Sequence, residues 1–302
     1  MTLDVIGLGY CTYDILAIVP RLPDFDDVHM VHVTELVYDG GGQVGTALTT
    51  LARLGVHAGY VGVLGDDAEG HWLRDRLVSE GIDITRLRLV PDTSTNRCLL
   101  LVHQASAGRA ILCQASTGPG VLWLDDEDRA AIQSARVLHL DGQFMPAAIQ
   151  AARWARQAGI RVCFDGNHDR PGLSELLPLV DWLVVAEGFP SELTGRPTLD
   201  AAAAELLAGG SSVLVVTQGD RGCRAWAGGE NWHIPAFPVE AVDTTGAGDA
   251  FHGGFIYGML QGWDVPRAAT FASAVAALNC RTLGGRRGLP VLNEVEQLIA
   301  RC

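Results

Sequence analysis

The chain contains no lysine; all 22 of its basic residues are arginine. That absence excludes a Walker A loop, whose lysine reaches the β- and γ-phosphates, and every mechanism built on a lysine Schiff base, pyridoxal phosphate chemistry included. Any phosphate handled here must be held by backbone N–H groups, arginine or metal. Positive charge is also scarce. With 22 basic against 35 acidic residues the formal charge is −13, so neither a nucleic acid nor an anionic membrane surface is an expected partner. No pair among the seven cysteines has CxxC spacing, which leaves zinc-ribbon and thioredoxin-type chemistry without support; most lie in apolar stretches and read as small buried hydrophobes. Long apolar runs are missing too, none approaching the roughly 18 residues that cross a bilayer. The N-terminus opens into a strand-like segment, residues 3–8, that carries Asp4 and does not resemble a signal peptide, so the expected location is the cytoplasm.

What is present is a globular composition, 48% hydrophobic and 19% charged over 302 residues, enough for a substantial core. Strand patterns at 58–63, 137–140, 161–164, 182–185 and 213–217 alternate with helical patterns at 70–79, 146–158 and 199–208. Alternation of this kind predicts an α/β fold with a parallel sheet covered on both faces. Further helices are expected at 268–278 and 293–301. Segments 15–19 and 28–37, and later 98–103 and 110–114, pair up without a helix between them, which predicts a small antiparallel sheet outside the main one. No long linker interrupts the pattern. One domain over 1–302 is expected, with lid strands from about 15–37 and 98–114.

Residues 242–251 carry the densest chemistry. Phe237, Val239 and Ala241 alternate as in a strand, while Phe251, Phe255, Met259 and Leu260 recur at helical spacing, so a helix begins close to Gly248. A strand feeding a glycine-rich turn into a helix aims several free N–H groups at one point, which suits an anion. Asp249 falls in the first turn, either as a helix-start carboxylate or as a group that accepts a proton or faces a metal. Gly40, Gly41 and Gly42 precede a helix running to residues 54–55 and would let a ligand approach the backbone closely. Asp14, Asp141, and Asp165 with Asn167 follow the 5–9, 137–140 and 161–164 strands. Ligands collect beyond such carboxyl ends in open α/β sheets. Thr217, Gln218 and Gly219 end another strand with a hydroxyl, an amide and a glycine suited to nucleotide contacts.

Residues 41–55 and the run Asp243-Thr244-Thr245-Gly246-Ala247-Gly248-Asp249 resemble the two signatures of the PfkB (ribokinase-like) carbohydrate kinases, a resemblance that covers essentially the whole chain. It implies a three-layer α/β/α fold with a mainly parallel sheet and a small β lid, and ATP-dependent phosphorylation of a hydroxyl on a sugar or sugar derivative. It assigns Asp249 as base and Gly246, Ala247 and Gly248 as the anion hole. Asp14, Gly41, Gly42, Thr46, Asp141 and Asp249 would hold the sugar. Thr217, Gln218, Gly219, Gly246, Gly248 and Ser273 would hold ATP. A monovalent cation such as K+ would sit on carbonyls near Asp243, Thr245 and the 281–290 loop, and the lid would pair two subunits.

Two departures stand out. Thr46 replaces the usual sugar-contacting asparagine, and the Asn-x-x-Glu that orders magnesium is replaced by Ala186 and Phe189, neither of which can coordinate a hard cation. Glu192 and Glu187 are the nearby carboxylates; Glu187, directly after the strand, is expected to hold Mg2+ through water. In motif detail the closest likeness is to a bacterial subgroup that includes sulfofructose kinase, which shares Thr46, residues 243–253 and Gly-Gly-Arg at 284–286. Its sulfonate-binding arginine falls at Gln143 here, so that substrate is not carried over. A nucleoside kinase and a sugar-binding pseudokinase without turnover are the alternatives.

Overall fold

The computed structural model describes residues 3–23, 26, 30–118 and 120–301. In chain order the elements are β1 (Val5–Leu8), β2 (Thr12–Val19), β3 (Glu35–Gly41), α1 (Gln43–Arg53), β4 (Ala58–Gly65), α2 (Ala68–Ser79), β5 (Asp83–Val90), β6 (Arg97–His103) and β7 (Arg109–Gln114). They continue with α3 (Asp126–Ser134), β8 (Val137–Leu140), α4 (Met145–Gln157), β9 (Arg161–Gly166), α5 (Leu173–Leu176), β10 (Trp182–Ala186), α6 (Phe189–Thr194) and α7 (Leu199–Ala208). The last are β11 (Val213–Thr217), β12 (Cys223–Ala227), β13 (Glu230–Ile234), α8 (Ala247–Leu260), α9 (Val265–Asn279) and α10 (Leu292–Ile299).

Strands β13-β12-β11-β10-β9-β8-β1-β4-β5 form one sheet, parallel from β5 to β11 and antiparallel over the last two pairings. Side chains alternate between its faces. Val137, Cys163, Val184 and Val215 pack with Phe255 of α8 and Val275 of α9. Leu138, Val162, Leu183 and Leu214 pack with Ala148 and Ala152 of α4 and Leu206 of α7. Burial on both faces is why these strands read as unbroken apolar runs. The chain builds outward from β1 through β4 to β5, then returns to build from β8 through β13 on the other side. The order therefore reverses between β1 and β8, and a crevice opens there.

The four lid segments form a second sheet, β3-β2-β6-β7. Its outer pairs are antiparallel as expected, but β2 and β6 run parallel, because the chain passes through β4, α2 and β5 before β6 arrives. The expected 28–37 strand is shifted. Residues 28 and 29 lie outside the described residues, and β3 starts at Glu35 and ends at Gly41. Gly40 and Gly41 are thus ladder residues paired with Tyr13 and Thr12, not a loop. Asp14, expected between the 5–9 and 15–19 strands, lies inside β2, opposite Asp39.

Residues 237–241 form no strand, since no neighbouring strand pairs with them and Pro238 lacks an N–H to offer one. Cys98 and Cys113 are not buried hydrophobes but a disulfide between register partners on β6 and β7, while Cys11, Cys163, Cys223 and Cys280 are free and buried as expected.

Phe189 begins α6 with 0% exposure and packs in the core beside Gly166 and Val185. Phe189→Ala is expected to cost about 3–5 kcal/mol of stability in urea unfolding. Phe189→Glu, which would restore the acidic residue common in the family, is expected to destabilise at least as much because it buries a carboxylate without a partner.

Candidate active site

The crevice between β1 and β8 is bridged by Asp141. Its Oδ2 accepts from the Tyr10 N–H at 2.7 Å and its Oδ1 from the Gln143 N–H at 3.0 Å, joining the chain that leaves β1 to the chain that leaves β8. A β-carbon on Gly9 would lie 2.3 Å from that carboxylate, so only glycine fits the approach. Across the crevice Asp14 accepts from the Thr12 hydroxyl at 2.8 Å. Burial pushes both carboxyls up to about 7, opposed for Asp14 by Thr12 and Arg286 and for Asp141 by its two N–H donors.

Beside Asp14, two residues that the sequence did not announce close the wall. Asp39 accepts from Gly40 N–H at 2.8 Å, Arg286 N–H at 2.9 Å and Arg287 N–H at 3.2 Å. The Arg286 guanidinium, 5% exposed, turns back to donate to the Gly41 carbonyl, to the Thr46 hydroxyl at 3.3 Å and to Cys11 Sγ at 3.2 Å. Thr46 therefore stands with an arginine that donates to its hydroxyl. Gly41 and Gly42 lead directly from β3 into α1 as expected, Gly42 being its N-cap.

The phosphate side is set by the start of α8. Gly246 caps it at φ 72°, and a β-carbon there would lie 2.7 Å from the Gly285 carbonyl. Asp243 fastens the turn, accepting from Thr245 N–H at 2.9 Å, the Thr245 hydroxyl at 2.8 Å and Gly284 N–H at 2.9 Å. Asn279 Nδ2 then donates to the carbonyls of Thr245 and Gly285, both at 3.2 Å. The first-turn N–H groups have no intrahelical partner and point out of the helix end. Asp249 sits among them, partly exposed. Its carboxyl is pushed up to about 7, by burial first and then by the charge of Asp165, against the pull of His252 and Arg286. Asp165, weakly indicated by the sequence, proves buried, with its Oδ1 3.4 Å from His252 Nε2.

Next to the α8 start is a cavity of about 410 Å³ lined by Thr217, Gly219, Phe237, Val239, Gly248 and Ser273, among others. The alternating apolar residues at 237–241 are thus a wall of this cavity, which explains their periodicity without a strand. Of the residues expected at ATP, Thr217, Gly219, Gly248 and Ser273 line it. Gln218 instead donates to Glu187 Oε1 at 2.9 Å, and Arg221 pairs with Oε2 of the same carboxylate.

An alcohol held at Asp14 and Asp141 and a nucleotide held beside Thr217 and Gly248 would meet at Asp249. Fold and cleft together define a ribokinase-like sugar kinase. Residues 3–292 match the pfkB family carbohydrate kinase, and the chain belongs to that family. It is 32% identical over 291 residues, 93% of each chain, to the ATP-dependent ribose-1-phosphate kinase of Halopiger xanaduensis. To the ribokinase of Bacillus subtilis it is 26% identical over 301 residues, covering 97% of this chain and 98% of that one. Its structure is similar to that of Arabidopsis thaliana ribokinase complexed with ribose and ATP, with a TM-score of 0.86 and 26% identity over 99% of each chain. The chain is an ATP-dependent carbohydrate kinase; none of these three relatives is a sulfofructose kinase.

If Asp249 is the base that the sequence resemblance implies, it must be ionised to accept a proton, and kcat/KM is expected to rise with pH through a midpoint near its value of about 7. Arg286→Gln removes a positive charge that favours the ionised form, so the midpoint should move upward. Superimposable profiles would show that Arg286 does not reach Asp249 electrostatically.

Proposed function

We propose that Asp249 takes the proton of a sugar hydroxyl as that oxygen attacks the γ-phosphorus of ATP in line, while the backbone N–H groups of Gly246, Ala247 and Gly248 stabilise the equatorial oxygens. Asp14, Gly41, Gly42, Thr46 and Asp141 hold the sugar; Thr217, Gly219 and Ser273 hold the nucleotide. The observation that carries this reading is the position of Asp249 on the first turn of α8, between crevice and cavity, with a carboxyl poised at about 7. The names of the relatives point to ribose or a ribose phosphate as the acceptor. A turnover assay with ribose, ribose 1-phosphate, fructose and nucleosides tests that choice. Asp249→Asn is expected to lower kcat by on the order of 10²–10⁴ while ATP still binds. A variant that keeps near-normal kcat would reduce Asp249 to a helix-start residue.

Magnesium enters with the nucleotide. Phe189 is core and Ala186 has no ligand atom, so we assign the metal-bound water to Glu187, a carboxylate that Gln218 and then Arg221 keep below its ordinary range and therefore ionised. Arg221 must yield for this to happen. Glu187→Gln should raise the Mg2+ concentration for half-maximal rate by on the order of tenfold. Sugar affinity measured without nucleotide should not change. Coincident Mg2+ titrations would leave the ion to the phosphates and Asp249.

The proposed K+ site uses backbone carbonyls near Asp243, Thr245 and the 281–290 loop. Asn279 Oδ1 is buried there without a hydrogen bond, an acceptor that a cation would satisfy. K+ is expected to activate the enzyme relative to tetramethylammonium; equal rates would mean that the Asn279 amide bridges the two carbonyls unaided. The proposal includes a cytoplasmic homodimer formed through the lid, on which Leu36, Tyr38, Ile111 and Leu112 are exposed. Among the described residues no helix is long and apolar enough to cross a membrane.

A further inference from the structure

Behind Asp249 lies a group of side chains that phosphoryl transfer does not use. His139 on β8 and Cys163 on β9 are direct register partners, so they project from the same face of the sheet. Helix α8 covers that face and contributes His252, whose ring lies tilted by 35° against that of His139. One ligand atom from each of His139, Cys163 and His252 lies within 4.8 Å of the other two, and the three residues are 0%, 0% and 3% exposed.

The hydrogen bonding of this group is incomplete. Both ring nitrogens of His139 and Nδ1 of His252 are buried without a hydrogen bond. Unsatisfied buried polar groups cost about 1–3 kcal/mol each, and an ion that took one lone pair from each ring would satisfy two of these three. The ring geometry suits one. A metal about 2.0–2.1 Å from each nitrogen places two imidazole centroids about 5 Å apart at the tetrahedral angle. The observed separation is 5.3 Å. His252 Nε2, the ring nitrogen other than the orphaned Nδ1, faces Asp165 Oδ1 at 3.4 Å. Metal-bound histidines commonly direct their second nitrogen at such a carboxylate, which fixes the tautomer and the ring orientation.

We propose that His139, Cys163 and His252 bind a transition-metal ion, with Asp165 orienting His252. A thiolate and two imidazoles favour Zn2+ over Mg2+, which demands oxygen. The site is thus separate from the ion that accompanies ATP. Drawing the three ligands together by about 1 Å would reach the usual Zn–S and Zn–N lengths. The ion would join β8, β9 and α8 directly behind the base, stiffening the helix whose first turn forms the anion hole. Binding displaces the Cys163 thiol proton to solvent, and no oxidation or reduction is involved.

The test uses the untagged full chain, expressed with added zinc and dialysed against metal-free buffer. Elemental analysis is expected to find about one equivalent of zinc per chain. Cys163→Ala and His139→Leu should retain little, while Cys223→Ala, which alters a buried cysteine outside the group, should retain it in full. Substituting Co2+ into the wild type should produce a thiolate-to-cobalt charge-transfer band in the near ultraviolet together with tetrahedral visible bands, a readout that needs no variant. Zinc should also raise the Tm of metal-free wild type and leave that of Cys163→Ala unmoved. A wild type that retains no metal, zinc held equally by Cys163→Ala, or a cobalt spectrum without the thiolate band would each overturn the proposal.

Discussion

The Asp39 carboxylate joins the two halves of the cleft. One oxygen accepts from its own lid strand and the other from two consecutive N–H groups of the C-terminal loop, at 2.8, 2.9 and 3.2 Å. A buried carboxylate is tolerable only when fully hydrogen-bonded, and charge-assisted bonds of this kind are the stronger sort. Asp243 grips the same loop from the opposite side through Gly284. Residues 284–287 are therefore suspended between two buried carboxylates and form a common wall for sugar and phosphate. Arg286 extends that wall to Gly41 and Thr46. Positioning of this rigidity lowers the reorganisation that transfer requires.

The cleft concentrates acid. Asp14, Asp141 and Asp249 are all pushed up to about 7, and among the described residues Arg286 is the one arginine counted as buried. Between the ordinary carboxylate range and about 7 the folded chain binds more protons at these sites than the unfolded chain. Their contribution to stability therefore falls as pH rises through that window. The fully ionised empty cleft is thus the less stable one, a difference that hydrogen-bond donors on a bound ligand would offset. Arginine suits the counter-charge because burial does not neutralise it as it can a lysine.

Much of this was legible in advance, and the remainder failed for identifiable reasons. Strands β8 and β11 fall on their expected limits because both their faces are buried, and helix α7 does so because Thr198 caps its start and Ala202, Ala203 and Leu206 recur along its buried side. The start of α8, with Asp249 in its first turn, was readable from glycines followed by helical spacing. Asp14 was found as a functional candidate but placed between two strands, because the second was expected to begin at residue 15 whereas β2 begins at Thr12. Asp39, Arg286 and Asn279 act through contacts spanning up to 248 residues, which no local period encodes. The Cys98–Cys113 bond depended on hairpin register, and the 237–241 alternation reflected a cavity wall.

Only residues 9–11 separate the central strand β1 from the lid strand β2. Tyr10 lies in that span, its N–H on Asp141 and its ring edge-on to Phe144 at 5.4 Å, at the entrance to α4. The lid is therefore not hung on a slack tether. Any displacement of β2 relative to the main sheet would therefore pull on the peptide that holds Asp141, so the second sheet and that carboxylate are mechanically coupled through three residues.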